Sequence, residues 1–228
     1  MNLPPIPEPD AVVDLLIRAL DMRERETARH SKRVACHTVV LAKHFYSDPA
    51  VLTQVYWGAL LHDLGKIGIP DSILLKHGAL TADEWRVMRT HPTLGYDLIK
   101  STPGLSIAAD LVLHHEERFD GSGYPDGLVG DAISFPARLF AVIDTLDAMT
   151  ADRPYRAAMT FDQAKETIVH ESRSQFDPVA VDAFLSEETT LRRMVADQCG
   201  ADMNMRDILG SDTVDRARYQ PTLDSEQP

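Results

Sequence analysis

A chain of 228 residues, 44% of them hydrophobic, is long enough to bury one full-sized core and too apolar to be a disordered tail. Its formal net charge of −12 and pI near 5.1 exclude wrapping of a nucleic-acid polymer, which needs a basic face to displace counterions. A small anionic ligand stays open, because bound cations can reverse the local sign of a site.

The opening "MNLPPIPEPD" is proline-rich and acidic, without the basic and apolar regions of a signal peptide. No apolar run approaches the roughly 18 residues that span a bilayer. The expectation is a soluble, cytoplasmic protein with no membrane span, whose Cys36 and Cys199 are reduced thiols. After a tail at residues 1–9, Asp10–Leu20 sets Val13, Leu16, Ile17 and Leu20 on one helical stripe. The stretch from Glu26 to Tyr46 continues helically, with Val34, Leu41 and Phe45 apolar. Its His37 and His44 are expected on the helix surface or at a packing edge. Pro49 opens a third helix, for which Gly65 is a plausible C-cap. "TADE" from Thr81 and "TFDQ" from Thr160 fit the capping box, and "FPARLFAVIDTLDAMTAD" predicts a helix with Leu139, Val142, Ile143 and Leu146 inward. Loops are expected around Gly68–Pro70 and from Gly121 to Asp131. The sum is an all-α domain over 10–187. The extension at 188–228 should add one or two helices and a frayed end.

Chemistry-bearing residues gather at helix ends. His62 and Asp63 close an apolar helix; adjacent positions point about 100° apart, so the pair can reach different ions of a cluster or flank one. Glu26 and His30 share a helix face at i, i+4, although "RERETARHSKR" also reads as a solvated charged face. His91 falls at a helix junction, and His114 and His115 end another helix. Asp144 lies mid-helix among apolar residues, where an unpaired carboxylate is costly; a metal ion or a core arginine would each resolve that cost. The set is carboxylate and imidazole without thiolate. It suits manganese, iron or zinc in a multinuclear centre acting on a phosphodiester.

"HDLGKIGIPDSILLK", "HP", "HHE…DGSGYPDGL" and "ARLFAVIDTLDAMTADRPYR", in that order, resemble the HD-GYP family of metal-dependent phosphohydrolases over roughly Glu26 to Phe184. The resemblance implies an HD-type helical bundle with an added GYP loop and C-terminal helices. It implies two or three divalent metal ions, iron or manganese foremost. The implied reaction is hydrolysis of cyclic di-GMP to linear pGpG, in some members onward to GMP, through a metal-activated bridging hydroxide. Carried over position by position, the metal ligands fall on Glu26, His30, His62, Asp63, His91, His115 and Asp144. Asp63 and Lys66 are then catalytic, with Lys66 one turn beyond Asp63 and able to stabilise the leaving oxygen. Lys66, Tyr124, Arg153 and Arg156 are expected at the substrate.

The family pattern places His-His-Glu two residues before Asp-Gly. Here three residues, Glu117-Arg118-Phe119, separate Glu116 from Asp120. Counted back without a gap, the two family histidines fall on His115 and Glu116. Either Glu116 replaces a histidine ligand, or the helix end shifts to bring in His114. The first is preferred, because a gap just after a helical ligand is structurally expensive. Glu117 is then expected at solvent or behind the ligands. A carboxylate at that position leaves a rival reading, a module that binds cyclic di-GMP or a partner protein with little or no turnover. Another cyclic dinucleotide as substrate is a further rival. With no sensor domain apparent, regulation is expected through a homodimer, a regulatory protein partner or expression.

Overall fold

In a computed structural model, residues 9–23, 25–151 and 157–197 are described, with the backbone alone for 21–23 and 25–28. Expectations that fall elsewhere lie outside the described residues: the first eight positions, Arg153 and Arg156, Cys199 and the end from 198 onward.

Eleven α-helices follow one another among the described residues: α1 (Pro9–Arg23), α2 (Arg25–Ala42), α3 (Pro49–Leu61), α4 (Asp71–Leu74), α5 (Ala82–Met88), α6 (His91–Ile99), α7 (Ser106–His114), α8 (Phe135–Thr150), α9 (Phe161–His170), α10 (Pro178–Ser186) and α11 (Glu188–Ala196). The only β pairings among these residues are two isolated bridges, Asp120 with Val129 and Ser172 with Phe176. The fold is all-α. None of its described helices is long and apolar enough to cross a membrane.

Local chemistry sets the helix starts. Asp48 accepts the Ala50 N–H at 2.8 Å ahead of Pro49, the first residue of α3. Thr81 and Thr160 form complete capping boxes with Glu84 and Gln163. The centre is built from α2 against α3 and α8, with α7 across α3 and α6 against α7. Leu41, Leu61, Leu111, Leu139, Phe140 and Ile143 are fully buried there, and Leu191 and Met194 of α11 join the same core. Leu139, Val142, Ile143 and Leu146 all face inward as their spacing predicts. His37 is fully buried, because its position on α2 faces the core rather than the surface; His44 is half-buried and bonded to Glu187 at 2.8 Å.

Gly65 does not cap α3, which ends at Leu61. It lies in a short 3-10 turn, Leu64–Gly68, that is pressed against α6. A Cβ at Gly65 would stand 1.8 Å from the His91 carbonyl oxygen and 2.6 Å from the Gly95 nitrogen. The glycine is needed for backbone approach, and the approach brings Asp63 and His91 together. We expect Gly65→Ala to destabilise the protein by about 3 kcal/mol, near the upper end for overpacking. Urea unfolding would measure it, and a change below about 0.5 kcal/mol would show that the two segments part freely.

Candidate metal centre

Five elements converge on one cluster, buried at His62, Asp63, His91 and His115 and partly exposed at His30 and Asp144. His30 comes from α2, His62 and Asp63 from just beyond α3, His91 from the first position of α6, His115 from just beyond α7, and Asp144 from α8. Donor atoms of His30, His62 and Asp144 lie within 4.8 Å of one another, as do those of Asp63, His91 and His115. The two triads adjoin through the neighbouring residues His62 and Asp63, whose Nε2 and Oδ2 are 3.1 Å apart.

The backbone orients three of the four rings. His62, His91 and His115 donate their Nδ1–H to the carbonyls of Ala59, Met88 and Val112 at 2.8, 2.9 and 2.8 Å. A carbonyl only accepts, so each Nδ1 carries a proton and each Nε2 is left for the cluster. The Nε2 atoms of His91 and His115 face each other at 3.1 Å. Burial, together with the neighbouring imidazoles, lowers both rings to about 4. At neutral pH two lone pairs therefore oppose each other in the interior, with the Asp63 carboxylate 3.6 Å from His91. A divalent metal ion accepting both lone pairs would relieve that opposition, and the imidazole and carboxylate donors fit such an ion.

Charge within the other triad is arranged differently. Burial pulls the His30 ring down, but Asp144 and Asp147 outweigh it and push the ring up to about 9. Asp144 is held below the usual carboxylate range, against its burial, by His30. Burial would also raise Asp63, yet His62 and Lys66 hold it well below that range. Lys66 Nζ lies 2.8 Å from Asp63 Oδ2, so its ammonium is engaged by the carboxylate one turn earlier.

His114 turns away from the cluster, toward Asp110 at 3.3 Å and Asp126 at 3.7 Å. Glu116 turns in: its Oε1 is 3.9 Å from the Nε2 atoms of both His91 and His115. Burial raises its carboxyl, opposed by His91 and by a hydrogen bond from the Tyr124 hydroxyl. Glu117 is neither solvent-facing nor behind the ligands. It is buried, and its carboxylate accepts the N–H groups of Asp126, Gly127 and Leu128 at 2.8, 3.0 and 3.1 Å, pinning the glycine-rich loop. Gly123 allows the loop to close, since a Cβ there would stand 2.3 Å from the Arg118 nitrogen and 2.5 Å from the Glu117 Cα. The loop thus delivers Tyr124 beside His91, with the Arg89 guanidinium 5.3 Å above the tyrosine ring.

The side chain of Glu26 and the whole of Arg153 and Arg156 lie outside the described residues. Arg33, Arg89 and Asp147 went unnoticed in the sequence. Asp147 had a readable signal, the same one as Asp144: a carboxylate on an apolar helix, one turn further on. The core arginine weighed there as a partner for Asp144 exists as Arg33, and it binds Asp147 instead.

These shifts fix the pH response of the metal-free protein. Below about pH 6.5 the unfolded chain gains protons that folded His91 and His115 accept only near 4, so stability falls as pH drops from 6.5 toward 4. Folded His30 keeps its proton to about 9; its contribution is complete below the unfolded value and is lost as pH rises through 9. The unfolding temperature of chelator-treated protein should therefore peak near pH 6.5 and decline on both sides. A flat profile between pH 5 and 9 would refute the assignment.

Comparison with known proteins gives this geometry a lineage. The family model of the HD domain matches residues 14–180. The cyclic di-GMP phosphodiesterase response regulator RpfG of Xanthomonas campestris pv. campestris is 40% identical over 181 residues, covering 78% of this chain and 48% of that protein. The 3'3'-cGAMP-specific phosphodiesterase 3 of Vibrio cholerae is 36% identical over 186 residues, covering 78% and 40%. Among solved structures, a cyclic GMP-AMP specific phosphodiesterase of Vibrio cholerae superposes with a TM-score of 0.65 at 18% identity, over 87% of this chain and 52% of that one, a likeness of fold. The chain spans about half the length of the curated relatives it matches. On the extent of the domain match and the identity to these relatives, it belongs to the HD domain family, in the HD-GYP branch.

Proposed function

We propose that this chain is a metal-dependent phosphodiesterase that hydrolyses cyclic di-GMP to linear pGpG. The observation that carries the reading is the pair of adjoining donor triads, with His91 and His115 opposed at 3.1 Å. The substrate class is supported by relatives at 38–40% identity, which are cyclic di-GMP phosphodiesterases.

Two or three divalent ions, iron or manganese by the family resemblance, would supply Lewis acidity for attack of water on phosphorus. His30, His62 and Asp144 would hold one position; Asp63, His91 and His115, joined by Glu116, would hold the next. Glu26, one turn before His30, is assigned to a third. Neutral His91 and His115 offer their Nε2 atoms at pH 7 without first losing a proton. Lys66 offsets the charge of Asp63 and, with its side chain 25% exposed, reaches the open side to steady the departing 3′-oxygen. Tyr124 holds the Glu116 carboxylate in place. Arg153 and Arg156 are assigned to the substrate's phosphates by the family motif alone.

Relatives named for 3'3'-cGAMP favour one second reading, that a mixed cyclic dinucleotide is also cleaved. Anaerobic loading with manganese or iron, incubation with each dinucleotide and chromatography of the products would decide between them. Linear pGpG is the expected product. Binding of cyclic di-GMP without any product would leave a ligand-binding module in place of an enzyme.

Two substitutions test the residue assignments. Asp63→Ala should lower turnover by at least about a hundredfold with a helical CD spectrum near wild type, and full activity would overturn the metal-centred mechanism. Glu116→Ala should weaken metal retention by about tenfold or more, whereas His114→Ala should leave it unchanged. The reverse pattern would make His114 the ligand.

A further inference from the structure

His30 differs from the other three histidines in what holds its ring. They donate Nδ1–H to backbone carbonyls, while His30 Nδ1 lies 2.7 Å from Asp147 Oδ2. Asp147 is 4% exposed and is gripped by a fork from Arg33, with Nε to Oδ1 at 2.7 Å and NH2 to Oδ2 at 2.9 Å. Arg33 stands one turn beyond His30 on α2, and Asp147 one turn beyond Asp144 on α8. The two helices are therefore joined by two rungs: His30 with Asp144 at 3.1 Å on the donor side, and Arg33 with Asp147 behind it.

We infer that Asp147, locked by Arg33, is a positioning residue that sets the loading of the His30–His62–Asp144 position independently of the Asp63–His91–His115 position. The inference rests on the reading that metals occupy the cluster. An anionic acceptor keeps the ring proton on Nδ1 and directs Nε2 toward Asp144. It also raises the donor strength of the ring above that of an imidazole bonded to a carbonyl. Arg33 occupies both oxygens of Asp147, which keeps this carboxylate from swinging in as a competing ligand. The rings of the second triad, His91 and His115, are instead fixed by the main chain. Loss of Asp147 should therefore empty one position and spare the other.

The test counts manganese per chain in the full-length protein after anaerobic loading and desalting, with affinities from titration against a chelating dye. Asp147→Ala should weaken one equivalent by about 10–100-fold and leave the remainder at wild-type affinity. The spin-coupled manganese EPR signal of neighbouring ions should give way to the six-line spectrum of an isolated one. Arg33→Lys keeps the charge but loses the fork, and should weaken the same equivalent to a smaller degree; it decides the matter if Asp147→Ala loses its helical CD spectrum. Wild-type retention of every equivalent in both variants overturns the inference, as does uniform weakening of all equivalents. A wild type that holds no manganese or iron overturns the phosphodiesterase reading, and this inference with it.

Discussion

The structure depends on the cost of holding unpaired lone pairs and carboxylates inside an apolar bundle. Asp63 sits where that cost concentrates. It is 7% exposed, takes Lys66 and His62 on one oxygen and faces His91 with the other. An isolated carboxylate at that depth would protonate or pull the helices apart. Here His62 and Lys66, both beside its Oδ2, keep it ionised. Phe140 packs against the rings of His62 and His115, and this apolar side strengthens the electrostatic contacts beside it.

The glycine-rich loop solves a separate problem, how to bring an irregular segment against a buried site without stranding its backbone. Three consecutive N–H groups would otherwise be unsatisfied, and Glu117 accepts all three. Gly123 lets the chain lie against the Glu116–Arg118 backbone, and Tyr124 follows directly. Glu116 and Glu117 are neighbours with opposite duties: one carboxylate faces the histidines and the other binds main chain.

What could be read from the sequence follows from the range of each interaction. Helices and caps are local, so Pro49, Thr81, Thr160 and the Leu139–Leu146 stripe were legible. The residue types at the cluster were also legible, because a histidine or aspartate on an apolar helix carries its burial cost in plain sight. Contacts between distant segments were not. The space at Gly65 belongs to α6, and the partner of Asp147 lies on α2. His37 misled for the same reason: a polar residue on a mixed helix gives no sign of which neighbour will cover it. The choice between His114 and Glu116 turned on where Asp110 and Asp126 stand, which no spacing argument supplies.

The opposed rings of His91 and His115 have a consequence for the life of the polypeptide. They belong to α6 and the end of α7, while the other triad ties α2 to α8, so the cluster closes loops along most of the core sequence. A bound cation relieves a repulsion that exists only in the folded chain, and mass action then draws the folding equilibrium toward the native side as free metal rises. Supply of the ion would thereby bear on how much of the chain is folded. A cell short of it would lose this protein to proteolysis in proportion to the time the core spends open.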